Sequence, residues 1–134
     1  MHLASLRIIT ADVDRLVAFY ERVTGLAARR PAPQFAEFAG PAGSATLAIG
    51  SAETMTLFGP GAAVPESNRT VIVEFQVADV DAEHDRLRPL LDEVVQHPTT
   101  MPWGNRSLLF RDPDGNLVNL FAPVTEAAKA RLAR

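Results

Sequence analysis

The chain of 134 residues contains no cysteine. Disulfides, thiolate metal sites and a cysteine nucleophile are therefore excluded. A strong charge of either sign is also missing. The net charge is −3, and the arginines are scattered except for Arg29-Arg30. A nucleic-acid module would show a basic face, so nucleic acid is not an expected partner. No apolar run approaches the roughly 18 residues that a bilayer-spanning helix requires, so a membrane is not expected either. Arg7 and Asp12 interrupt any charged-then-apolar leader pattern, and the expected location is the cytoplasm. None of Ser5, Ser44, Ser51, Ser67 and Ser107 lies in a G-x-S-x-G elbow, and Gly59-Pro60-Gly61 lacks the lysine of a phosphate loop. What is present is ordinary for a folded chain: 47% hydrophobic and 22% charged residues, enough at this length for one domain with a real core.

Against that background the informative feature is repetition. Ala11-Asp12-Val13-Asp14 returns as Ala78-Asp79-Val80-Asp81. Thr56-Leu57-Phe58-Gly59-Pro60 is echoed by Asn119-Leu120-Phe121-Ala122-Pro123 at a nearly equal spacing. Two copies at so long a period point to a duplicated half-domain rather than a solenoid.

Hydrophobic periodicity supports the doubling. A strand is expected over 3–9, with Leu6 and Ile8 on one face and Ser5, Arg7 and Ile9 on the other. Thr10 or Asp12 caps a helix whose stripe is Val13, Leu16, Val17, Phe19, Tyr20 and Val23, and Gly25 stops it. Pro31 and Pro33 forbid its continuation. Strands over 34–38, 44–49 and 54–58 complete a βαβββ unit, with a turn at 40–43. A Pro/Gly-marked linker covers 59–69. The second unit has a strand over 70–77 and a helix opened by Asp79 or Asp81. That helix carries Val80, His84, Leu87, Leu90 and Leu91 and is ended or kinked by Pro89. Strands over 94–97, 106–110 and 117–121 follow. Asp112-Pro113-Asp114-Gly115-Asn116 forms the turn between the last two. A short helix is expected over 125–133. The fold class is thus α+β, with modules at about 3–58 and 70–123.

These pieces together resemble the vicinal oxygen chelate superfamily, which includes glyoxalase I, bleomycin-resistance proteins and extradiol dioxygenases. The resemblance rests on Ala11-Asp12-Val13-Asp14-Arg15, Phe19-Tyr20, Gly25-Leu26, Asp79-Val80-Asp81 and Trp103-Gly104. Its strongest piece is the run from Phe110 to Phe121 through Asp112-Pro113-Asp114-Gly115-Asn116. It implies two pseudo-symmetric βαβββ modules whose mixed sheets curl around a cleft, with the helices outside. It also implies a homodimer.

Metal-dependent members place His, Gln or Glu in the first and last strand of each module. The resemblance carries these positions onto Ser5, Ile72, Thr56 and Asn119, of which Asn119 stands where the motif usually has Glu. These side chains do not suit a divalent ion. A slip of two residues along the first strands would offer Arg7 and Glu74, still only one carboxylate. No cofactor is therefore expected, and a divalent metal only under a metal-dependent alternative. His2 is expected to be solvated, His84 packed and His97 exposed, with no convergence among them.

The remaining candidates for ligand contact are Ser5, Arg7, Thr56, Phe58, Ile72, Glu74, Trp103, Asn119 and Phe121. Arg7 and Glu74 are either a mutual ion pair or an anion contact with an orienting or basic carboxylate, since isolated charges are costly in an apolar cleft. Glu74 is the one weak catalytic candidate. Trp103 forms a flat wall, a lid, or packing at the cleft edge. The aromatic residues line a small-molecule site or fill the core. The reading favoured is a metal-free protein binding an apolar or aromatic small molecule. The alternatives are a metal-dependent lyase, epimerase or dioxygenase, a metal-free enzyme using Glu74 or Arg7, and an interaction module whose cleft is filled. The mild charge of −3 makes cationic bleomycin itself a poor ligand.

Overall fold

The computed structural model describes residues 1–133, which divide into two compact units, Met1–Asn68 and Arg69 onward. In the first, β1 (Ser5–Thr10) leads into α1 (Val13–Thr24), followed by β2 (Arg29–Ala32), β3 (Phe35–Phe38) and β4 (Thr46–Ser51). In the second, β5 (Ile72–Gln76) leads into α2 (Val80–Leu87), then β6 (Val94–Thr100), β7 (Asn105–Arg111), β8 (Leu117–Pro123) and α3 (Glu126–Leu132). Each unit builds a four-stranded mixed sheet of the same topology, ordered β1-β4-β3-β2 and β5-β8-β7-β6. The first strand pairs in parallel with the last, and the other pairs are antiparallel. Among the described residues no helix is long and apolar enough to cross a membrane.

The helix signals act as the sequence implies. The Asp12 carboxylate accepts from the Arg15 backbone N–H at 3.1 Å, and Asp79 accepts from Ala82 at 3.0 Å, each satisfying an orphan donor of a first turn. Gly25 closes α1 in the left-handed region at φ 71°, a conformation that costs glycine nothing. All six residues of the predicted α1 stripe are buried, with Leu16 and Tyr20 fully so. The Tyr20 ring packs edge-on against Phe19 at 5.3 Å and at a tilt against Phe38 at 6.5 Å. The second unit buries Val80 and Leu87 of α2 with Leu108, Phe110, Val118 and Leu120 of its sheet. α2 ends at Leu87, two residues before Pro89, as the missing N–H requires.

Two expectations for the first unit are corrected. Residues 54–58 do not form a strand. A 3₁₀ turn covers Ala52–Thr56, and its backbone continues as a turn through Gly59. Two threonine hydroxyls, of Thr54 and Thr56, donate to the carbonyls of Ser51 and Glu53 at 2.6 and 2.8 Å. Such local bonds offer the backbone an alternative to a sheet ladder. The missing strand is β2, which contains Pro31. It lies at the sheet edge, where a residue without an N–H is tolerated. The strand that corresponds to β8 is therefore β4. The echo between Thr56-Leu57-Phe58 and Asn119-Leu120-Phe121 is not a structural equivalence. The Asp12 and Asp79 echo is one.

Candidate functional site

Pairing register fixes which side chains share a face. In the first unit Arg7 lies opposite Ala48, and Ala48 lies opposite Glu37. A Cβ placed on Gly50 would sit 3.5 Å from Ile9 Cδ1 and 3.7 Å from Arg7 Cδ, so Arg7, Ile9 and position 50 share that face. The opposite face carries Leu47, Ile49, Ala36 and Phe38 into the helix-covered core. This is the parity predicted for β1.

Arg7 is held by rings rather than by a carboxylate. Its guanidinium carbon is 5.3 Å from the ring centres of both Phe35 and Phe58. Each such contact is worth about 0.5–1 kcal/mol at an exposed position. Phe58 reaches Arg7 from the turn after the 3₁₀ segment, not through the strand parity expected for it, and stays 70% exposed. Phe35 was not among the predicted site residues. Its alternation within β3 was visible, but its partner Gly50 on β4 was not. On the same face Glu37 is taken by Arg29 at 3.6 Å.

In the second unit the equivalent position holds Glu74, opposite Asn119. The Asn119 amide Nδ2 donates to Glu74 Oε2 at 2.8 Å. A carboxylate only accepts, so this bond fixes the orientation of the amide. Asn119 Oδ1 is then left buried with no hydrogen-bond partner among the described residues. The row continues through Leu109 to Gln96, whose Oε1 is also buried without a partner. One face of this sheet thus carries a carboxylate and two amide oxygens in a line. Phe121, half-buried, lies beside them opposite Ser107. The partners described for Arg7 and for Glu74 each lie inside that residue's own unit.

The other predicted residues fall as follows. Ser5 and Ile72 open β1 and β5 and are exposed. Thr56 lies in the 3₁₀ turn with its hydroxyl engaged by Glu53. Trp103 is 56% exposed in the turn before β7, and its carbonyl accepts from Arg131 at 3.4 Å. The histidines correct one expectation. His84 of α2 and His97 of β6 do meet, with perpendicular rings 5.4 Å apart. Nearby, Arg106 donates to both Asp81 oxygens at 2.6 and 2.9 Å. Those hydrogen bonds hold the Asp81 carboxyl below the usual carboxylate range.

The donor set can be compared with what a divalent ion needs. The counterpart of Asn119 in the first unit is Ala48, since Arg7 and Glu74 occupy equivalent places in β1 and β5. The positions carried over from metal-dependent relatives thus hold a serine, an isoleucine, an asparagine and an alanine in place of the threonine first assigned. An alkyl group cannot ligate, and a hydroxyl and one amide oxygen do not make a divalent cage. No group of three or more His, Cys, Asp or Glu side chains capable of holding an ion occurs among the described residues. The residues present do not fit a family metal.

A family model described as the Glyoxalase/Bleomycin resistance protein/Dioxygenase superfamily matches residues 2–120. No curated protein matches the chain. Among solved structures it is similar to a glyoxalase/bleomycin resistance protein/dioxygenase from Nocardioides. That pair shares 28% identity and a TM-score of 0.75 over 94% of this chain and 85% of that one. A family enzyme from Burkholderia phytofirmans PsJN is 18% identical with a TM-score of 0.80, over 92% of this chain and all (100%) of the other. TioX from Micromonospora sp. ML1 is 24% identical with a TM-score of 0.65, over 92% and 99%. The last two likenesses speak to fold alone. With the family model spanning both units and the repeated topology in each, the chain belongs to the glyoxalase/bleomycin resistance protein/dioxygenase superfamily.

Proposed function

We propose that the protein binds a small apolar or aromatic molecule through side chains, without a metal ion. The observation that carries this reading is the Glu74–Asn119 pair. Where metal-dependent relatives are expected to place a ligating carboxylate, this chain has an amide that donates an N–H to Glu74 and keeps its carbonyl oxygen unpartnered. A buried acceptor without a partner costs about 1–3 kcal/mol, which a ligand N–H or O–H would recover. Phe121 and Leu109, on the same face of that sheet, supply the apolar contact that small-molecule sites combine with a few polar anchors.

A thermal-shift screen of small aromatic and amphipathic compounds, run with and without EDTA, tests this. Stabilising compounds are expected, with shifts unchanged by the chelator and reduced in Asn119→Leu. An empty screen, or hits that vanish with EDTA, would refute the reading. Loss of a measured turnover in Glu74→Gln with binding intact would make the protein an enzyme that uses this carboxylate as a base.

A further inference from the structure

Five arginines, Arg29, Arg30, Arg86, Arg88 and Arg106, form ion pairs with carboxylates. Arg7 differs. Among the described residues no carboxylate lies within ion-pair distance of it, and the acidic residue on its own face, Glu37, is engaged by Arg29. Its guanidinium is positioned instead by Phe35 and Phe58, at 5.3 Å from each ring. Rings steer a guanidinium without using up its N–H donors, so the fork of donors at its edge stays available. Beneath it the strand β4 offers only the small residues Ala48 and Gly50, so the Arg7 stem packs close to the sheet at position 50. Ile9 adds an aliphatic neighbour.

A planar anion is what such an edge recognises best. A carboxylate accepts two parallel N–H bonds from one guanidinium. A phosphate would call for further donors, and the other cation on this face, Arg29, is engaged by Glu37. The exposed ring of Phe58 offers a stacking surface beside the anion position. We infer that the Arg7 face of the first unit recognises the carboxylate of an aromatic monocarboxylic acid, with Arg7 holding the anion and Phe58 the flat body. This rests on the small-molecule reading above and concerns the first unit by itself.

Calorimetric titration of the full chain in EDTA with naphthoate and with its neutral isostere naphthamide tests it. The acid is expected to bind about ten-fold more tightly, the discrimination that hydrogen bonds to a charged group provide. Arg7→Gln is expected to abolish that preference, and Arg7→Lys to retain part of it, since a point charge remains without the fork. Phe58→Ala is expected to weaken both compounds equally. Both residues are exposed, so these variants keep the fold, which circular dichroism checks. Equal affinity for acid and amide, or a preference for the acid that survives Arg7→Gln, would overturn the assignment. So would failure of both compounds to bind. The broader reading falls only if the EDTA-treated screen is itself empty.

Discussion

Replacing Gly104 by alanine is expected to lower the free energy of unfolding by about 2–5 kcal/mol, the sum of left-handed backbone strain and overpacking. Gly104 has φ +91°, where an L side chain is strained, and a Cβ there would lie 2.1 Å from Thr125 Oγ1 and 3.0 Å from Ala128 Cβ. Neither neighbour can move freely. Thr125 Oγ1 caps α3 by accepting from the Ala128 N–H at 3.2 Å, and the Gly104 carbonyl accepts from the N–H groups of Val124 and Thr125 at 2.9 and 3.3 Å. The turn that carries Trp103 is thus locked to the start of α3 through a position that only glycine fits. Urea denaturation measures the loss. Thr125→Ala alone should cost about 1 kcal/mol as a lost cap. Combined with Gly104→Ala it should recover part of the penalty, because the closest clash is gone while the backbone strain remains. A Gly104→Ala variant as stable as the parent would mean that this turn does not pack on α3.

The second large effect concerns the turn between β7 and β8. Asp112 is buried, and its Oδ1 accepts from the backbone N–H groups of Asp114 and Asn116, both at 2.9 Å. Its Oδ2 accepts from Asn116 Nδ2 at 2.8 Å. One carboxylate thus satisfies three donors in a loop that would otherwise bury them, and Gly115 at φ +85° completes the reversal. Asp112→Ala is expected to cost about 2–4 kcal/mol, because bonds to a charged acceptor are lost and donors are left unsatisfied. Asp112→Asn should cost less, since its amide oxygen can still accept the two backbone N–H groups. The order Asp > Asn > Ala in denaturation midpoint checks the prediction. Because the turn sets the register of β8, which carries Asn119, against β7, the alanine variant should also weaken any ligand bound at Asn119.

Much of this architecture was legible because local chemistry and global packing agree. The α1 stripe and the Asp-Pro-Asp-Gly turn occur where the residues place them, and the caps fall on Asp12 and Asp79, one of the two residues offered for each. The segment from Thr54 to Phe58 misled because β-branched and aromatic residues favour strands, whereas threonine side chains bonded to nearby carbonyls hold it in a tight turn. β2 was overlooked because Pro31 reads as a breaker unless the strand is known to lie at an edge, and edge position is a property of the whole sheet. The candidate site suffered from the same limit. Arg7 and Glu74 were identifiable from their matched distance to the helix caps. Their actual partners lie on strands whose register only the fold defines: Ala48 and Asn119 beside them, and Phe35 two strands away. His84 and His97 met for a similar reason, since α2 packs over β6 and brings a helix residue to a strand residue.

Glu74 and Asn119 carry the function proposed above. A family scaffold that elsewhere presents ligating carboxylates here presents an amide bonded to a carboxylate, and alkyl groups at the positions beside it. The measurement that bears on this most directly is the metal content of the purified protein, with zinc, nickel, iron and manganese all quantified. Each is expected far below one ion per chain, and the protein should keep its ligand-induced stabilisation after chelation. One tightly held divalent ion per chain, lost on Asn119→Leu or Glu74→Gln, would contradict a side-chain-only binding site.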